Sequence, residues 1–198
     1  IDKIDGNRYA CDKNKYLIAM WQGLQNNLNR PYKISRELYN LARDDYNANT
    51  NINFSDFEIG WIGWMASYNG RFFDGGYSGH DVNGRDYISE QIRNTEKQIN
   101  SIKNIIFRHY EYDKTRLPEN SIIYCDIPYK DTKQYATSKD FDHDKFWKWC
   151  RDKKLEGHLI FVSEYQAPED FECVWQKEIT NSMNQKNTYK PIEKLFRI

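Results

Sequence analysis

One short run, "SIIYCDIPYK" (Ser121 to Lys130), gathers residue types that could do chemistry. Ile122 to Cys125 form an apolar, strand-like run that ends at Asp126. Pro128 fixes the chain direction and restricts Ile127 to an extended backbone. The Ile127 carbonyl is then expected to point outward, free of any sheet ladder. That carbonyl and the Asp126 carboxylate make two acceptors, which suit an amino group carrying two hydrogens. The ring of Tyr129 suits a stacked base, a contact worth about 1–3 kcal/mol. An ordinary turn, with Pro128 and Tyr129 packing locally, fits the same spacing. The run alone leaves both readings open.

Two more acids, Asp12 and Glu111, stand where strand-like runs end. In open α/β sheets, ligands lie beyond the carboxyl ends of strands, and an acid there commonly accepts hydrogen bonds from ribose hydroxyls. Taken singly, each acid is more often a turn residue or a helix cap. Three acids expected on one sheet edge favour a ligand. His80, His109, His143 and His158 have no ligand spacing, so no metal is assigned.

The elements that must position these acids follow from pattern. Arg8 to Cys11 reads as a strand, followed by a helix with Asn14 as cap and Leu17, Ile18, Trp21 and Leu24 at helical spacing. Pro31 interrupts, and a second helix is expected from Ser35 to Asn47. An asparagine-rich loop from Asn47 to Asn53 leads to the apolar helix "FEIGWIGWMASY". "NGRFFDGGYSGHDVNGRDY" then reads as hairpin and loop, too long for a simple connection. "ISEQIRNTEKQINSIKNIIF" is expected to be one amphipathic helix on Ile88, Ile92, Ile99 and Ile102. Strands are expected in "NIIFRHY", "SIIYC", "HLIFVSEY" and "FECVWQKEI", with a helix in "FDHDKFWKWCRDKK". The order fits an α/β sheet interrupted by a mostly helical insertion over roughly residues 30–100.

Composition narrows the partners. Lys+Arg and Asp+Glu are both 29, so no global field draws in a nucleic acid, and positive charge for one must be local. The last segment offers it, with Lys177, Lys186, Lys190, Lys194 and Arg197 against Glu178 and Glu193. Cys11, Cys125, Cys150 and Cys173 form no CxxC pair, which points to buried free thiols in a reducing, cytosolic compartment and to no structural zinc. No apolar run approaches ~18 residues, so neither a transmembrane helix nor a signal peptide is expected. The first residue is Ile1, and the natural chain is expected to begin upstream.

"CDIPY" resembles the Asp-Pro-Pro-Tyr motif of amino-methylating DNA methyltransferases. Together with "ACDKNKYLI", "YNGRFF", "HYEYD", "GHLIFVSEY" and "PIEKLF", in that order, the chain resembles the Dam-like, α-group adenine-specific DNA methyltransferases, phage and prophage members above all. The likeness runs over essentially the whole chain. It implies a Rossmann-like catalytic domain, here 1–30 and 101–198, that uses S-adenosylmethionine and carries an inserted target-recognition domain, 31–100. It implies a bacterial or phage-infected cytoplasm, with double-stranded DNA as partner. By position, Asp12 would hold the cofactor ribose, and Glu111 with Tyr112 its adenine. Asp126, the Ile127 carbonyl, Pro128 and Tyr129 would form the target-base pocket, Asp126 also bordering the cofactor.

The segment from Tyr68 to Arg71 would then be a DNA-contacting hairpin, with Asn69, Arg71 and also Lys130 as contacts. Taken singly, Asn69 and Arg71 read better as a turn former and a solvated charge. Two positions depart from the family pattern. Ile127 replaces the first proline of the pair, and no F-x-G-x-G run precedes Asp12. The chain as given is therefore expected to bind S-adenosylmethionine weakly or not at all. A DNA-binding remnant, or an amino-methyltransferase acting on RNA or protein, is the alternative.

Overall fold

A computed structural model describes residues 1, 3–80, 83–130, 140–178 and 192–198. It is a mixed α/β chain in two compact units, Ile1–Thr115 and Arg116–Ile198.

In the first unit, β1 (Arg8–Asp12) pairs in parallel with β2 (Ile105–His109), so that Asp12 lies opposite His109. Among the described residues, five α-helices separate the two strands: α1 (Lys15–Gln25), α2 (Arg36–Ala48), α3 (Asp56–Ala66), α4 (Tyr87–Glu96) and α5 (Ile99–Ile102). Their starts are set locally. Asn14 accepts from the amides of Tyr16 and Leu17, Ser35 from Leu38, and Ser55 forms a reciprocal box with Glu58. The core holds Met20, Leu24, Tyr39, Ile59, Trp61 and Ile62. Helices α1 and α3 meet at glycines. A Cβ on Gly60 would lie 2.1 Å from the Tyr16 carbonyl oxygen, so only glycine permits this approach.

The second unit is a four-stranded sheet in the order β3 (Ile122–Asp126), β4 (Leu159–Glu164), β6 (Ile192–Arg197), β5 (Glu172–Glu178). Strands β3 and β4 are parallel, and α6 (His143–Leu155) lies between them in the chain, as a parallel pair requires. Strand β6 runs antiparallel to both of its neighbours. Phe146, Cys150, Ile160 and Val162 are fully buried and form the centre of this unit.

Several expectations need correction. The strands form two sheets, one in each unit, where a single interrupted sheet was expected. Within the first unit, residues of α2, α3 and α4 share a core with α1 and β2. The long Ile-rich helix is broken at Lys97–Gln98 into α4 and α5. Strand β6 was not expected from its residues. Of the four thiols only Cys150 is fully buried, and Cys11 and Cys173 are exposed.

Candidate functional site

At the carboxyl end of the first sheet, Asp12 and Glu111 follow adjacent parallel strands. Asp12 is half-buried, and its Oδ1 accepts from the Asn14 amide at 2.6 Å. Desolvation holds its carboxyl above the usual carboxylate range, against the Asn14 bond and the nearby charges of Lys13 and His109. Among the described residues, no hydrogen bond reaches its second oxygen. A cleft bordered by Ala10, Asp12, Leu17, Trp21, Ile102 and Phe107 opens beside it.

The turn that carries Glu111 and Tyr112 is tied back to β1. The Tyr110 amide donates to the Asp12 carbonyl at 3.2 Å, and Cys11 Sγ lies 2.9 Å from Thr115 Oγ1. Thr115 in turn donates to the Glu111 carbonyl at 3.2 Å. Glu111 is exposed, and its carboxylate pairs with Lys114 at 3.2 Å. Tyr112 opens a single 3₁₀ turn, Tyr112–Lys114.

Asn69 and Arg71 lie in the same unit, on the loop after α3. Asn69 is exposed in a left-handed conformation (φ 53°), inside the short turn Tyr68–Gly70. Aromatic packing anchors this loop: Phe72 and Phe73 pack against Tyr46, and the Tyr77 hydroxyl donates to the Ile34 carbonyl at 2.7 Å. An isolated antiparallel bridge joins Ser67 and Tyr77 across this loop.

In the second unit, Asp126 ends β3 directly opposite Ser163 of β4. Asp126 keeps an exposed surface, yet desolvation and, after it, the Glu193 carboxylate raise its pKa. The Ile127 side chain is buried, and among the described residues nothing donates to its carbonyl. The Pro128 carbonyl accepts from His143 Nε2 at 2.8 Å, which requires a proton on that nitrogen. Tyr129 curls over the end of β4. Its hydroxyl lies 2.6 Å from Ser163 Oγ and 3.2 Å from Glu193 Oε1, and its ring meets Tyr165 edge to face, with centroids 4.8 Å apart. Lys130 is exposed, and its amide donates to buried Glu164 at 3.0 Å. The same carboxylate accepts from the Tyr165 amide at 2.6 Å.

Residue patterns alone missed Ser163, Glu164, His143 and Glu193 as parts of this site. The signal for the first two was present. "VSEY" ends a strand with an acid, the same feature that picked out Asp12 and Asp126. Glu193 and His143 carried none, since their approach depends on non-local pairing.

The basic final segment is only partly visible. Lys186 and Lys190 lie outside the described residues. Arg197 pairs with Glu172, and Lys194 sits on β6. Among the described residues, no group of three or more His, Cys, Asp or Glu could hold a metal ion. No helix among them is long and apolar enough to cross a membrane. Compared with protein-family models and with curated proteins, the chain matches none.

Proposed function

We propose that the chain is an adenine-specific DNA methyltransferase acting on an exocyclic amino group, with Asp126 to Tyr129 as the target-base pocket. The observation that carries this reading is the end of β3. An acid, a carbonyl with no donor among the described residues and an aromatic ring anchored through its hydroxyl follow one another there. In this reading residues 1–30 and 101–198 supply a Rossmann-like catalytic domain, and residues 31–100 serve target recognition.

Adenine's amino nitrogen is a poor nucleophile because its lone pair is delocalised into the ring. Asp126 and the Ile127 carbonyl would each accept one of its hydrogens, which localises that pair and aims it. Tyr129 would stack on the base, offsetting part of the few kcal/mol that flipping it from the duplex costs. The protein supplies orientation and preorganised acceptors.

S-adenosylmethionine fits the residues at the first sheet's end in chemical type. The second oxygen of Asp12 is available to a ribose hydroxyl, and the adjoining cleft carries Trp21 and Phe107. Glu111 and Tyr112 would hold the adenine. When bound, that cofactor supplies an activated methyl group. Asn69, Arg71 and Lys130 would contact DNA, Arg71 and Lys130 through phosphate.

The test is methyl transfer by the full gene product from labelled S-adenosylmethionine to duplex DNA, RNA and protein, with the product identified. N6-methyladenine in duplex DNA, lost in Asp126→Ala, is the expected result. Transfer to RNA or to a protein amide assigns another substrate. Duplex binding without any transfer marks a DNA-binding remnant.

A further inference from the structure

The motif run explains a stacking ring at position 129 but not its hydroxyl, since a phenylalanine would offer the same face. The hydroxyl is met by two residues from other strands. Ser163, on β4, lies 2.6 Å away, and Glu193, on β6, 3.2 Å away. Ser163 is itself buried and stands opposite Asp126 in the parallel register, so the base-side acid and the ring's anchor share one strand pair. Two donor orders satisfy the group: Ser163 donates to the phenol oxygen while the phenol donates to the Glu193 carboxylate, or the phenol donates to Ser163 Oγ while Ser163 donates to Glu193 Oε1 at 3.5 Å. Glu164 holds the backbone at Lys130 and Tyr165 independently. Releasing the hydroxyl therefore leaves the Glu164 bonds to the Lys130 and Tyr165 amides in place.

We propose that Ser163 and Glu193 are positioning residues that clamp the Tyr129 hydroxyl and fix its ring beside Asp126. The role given to that ring rests on the methyltransferase reading, whereas the clamp can be read without it. Fixing the ring in advance removes an ordering cost from base capture, and a small misplacement of a reacting group costs up to about a hundredfold in rate. The titratable groups about Tyr129 are Glu193 on β6, Asp126 on β3 and Tyr165 after β4, whose ring meets its own; Tyr124 on β3 shares the same Asp126 and Glu193 charges. Desolvation raises the Tyr129 pKa most; the Ser163 bond lowers it, and Glu193 and Asp126 raise it. The two clamp residues thus act on the phenol with opposite signs.

The experiment follows the resonance of an isotopic label at tyrosine Cζ, assigned through Tyr129→Phe, during alkaline titration. Glu193→Gln should begin to ionise Tyr129 at lower pH than the wild type, and Ser163→Ala should not. Identical titrations in all three proteins, or a fall in both variants, overturn the clamp. Should Glu193→Gln fold poorly, a lower titration in Ser163→Ala alone still overturns it.

Kinetically, Glu193→Gln should lower kcat by roughly ten- to a hundredfold. Adding Ser163→Ala to Tyr129→Phe should cost nothing further, because the hydroxyl it served is gone. A full additive loss in that double variant speaks for a merely structural serine and overturns the proposal. If the wild type transfers no methyl group while the label responds as expected, the methyltransferase reading falls and the clamp stands.

Discussion

The two strand ends at Asp12 and Asp126 begin alike and finish differently. Each closes a five-residue parallel strand with an aspartate, and desolvation raises both carboxyl groups. After Asp12 the chain turns at once into α1, and the acid is tied to its own turn through the Asn14 amide. After Asp126 the proline biases Ile127 away from the helical region, and the Tyr129 hydroxyl is held from β4 and β6 instead. The charges around the acids differ as well. Lys13 and His109 favour the Asp12 carboxylate, whereas Glu193 disfavours that of Asp126. The same residue in the same place in a strand is thus a supported acceptor at one end and a poised one at the other.

The largest effect should come from removing one charge at each end. On the proposed methyltransferase reading, Asp126→Asn should lower kcat for methyl transfer by about 10²–10³-fold, the usual cost of one preorganised electrostatic partner. On the same reading, in the full gene product, Asp12→Asn should chiefly raise the KM for S-adenosylmethionine with kcat nearly kept, as expected of uniform binding. Equal kcat losses in the two variants would erase the distinction between the ends.

Next comes the support beneath Asp12. Gly60→Ala should destabilise the first unit by about 1–3 kcal/mol or more, because the new Cβ meets the backbone of α1 rather than a yielding side chain. Denaturant unfolding followed by tryptophan fluorescence measures this. The Tyr129 Cζ signal should stay unchanged in the folded variant. A glycine-tolerant result would mean that the two helices can move apart.

Asn14→Ala should cost about 1 kcal/mol through the lost helix cap, read by the same unfolding curves. Asn14→Asp should recover most of it, since aspartate caps as well. No loss on Asn14→Ala would separate the Asp12 turn from the stability of α1.

The smallest effect concerns pH. The Asp126 carboxyl sits above its unfolded value of about 3.9, so its contribution to stability is full below that pH and is lost as pH rises through the folded value. At neutral pH, Asp126→Asn should therefore be slightly more stable than wild type, by less than about 1 kcal/mol given solvent screening. The difference should vanish below about pH 4. Thermal melts across that range check the sign. A wild type that gains on the variant as pH rises would mean that Asp126 has a stabilising cation near it.

The amino-acid sequence by itself determined most local structure. Asn14, Ser35 and Ser55 start helices through bonds to amides two or three residues away, and those bonds need nothing distant. Apolar spacing likewise located α1, α3, α6 and five of the six strands. It could not see the break at Lys97–Gln98, because Ile88, Ile92, Ile99 and Ile102 keep one apolar stripe whether or not the helix is continuous. Local residues also located the acid, proline and tyrosine of β3. Only the tertiary structure decided that strands expected in one sheet form two, and that β6 pairs with both β4 and β5. It alone brought Glu193 to the hydroxyl of Tyr129, 64 residues away in the chain. The physical reason is that strand pairing and buried hydrogen bonds satisfy backbone and side chains across long separations, where no spacing in the sequence records the partner.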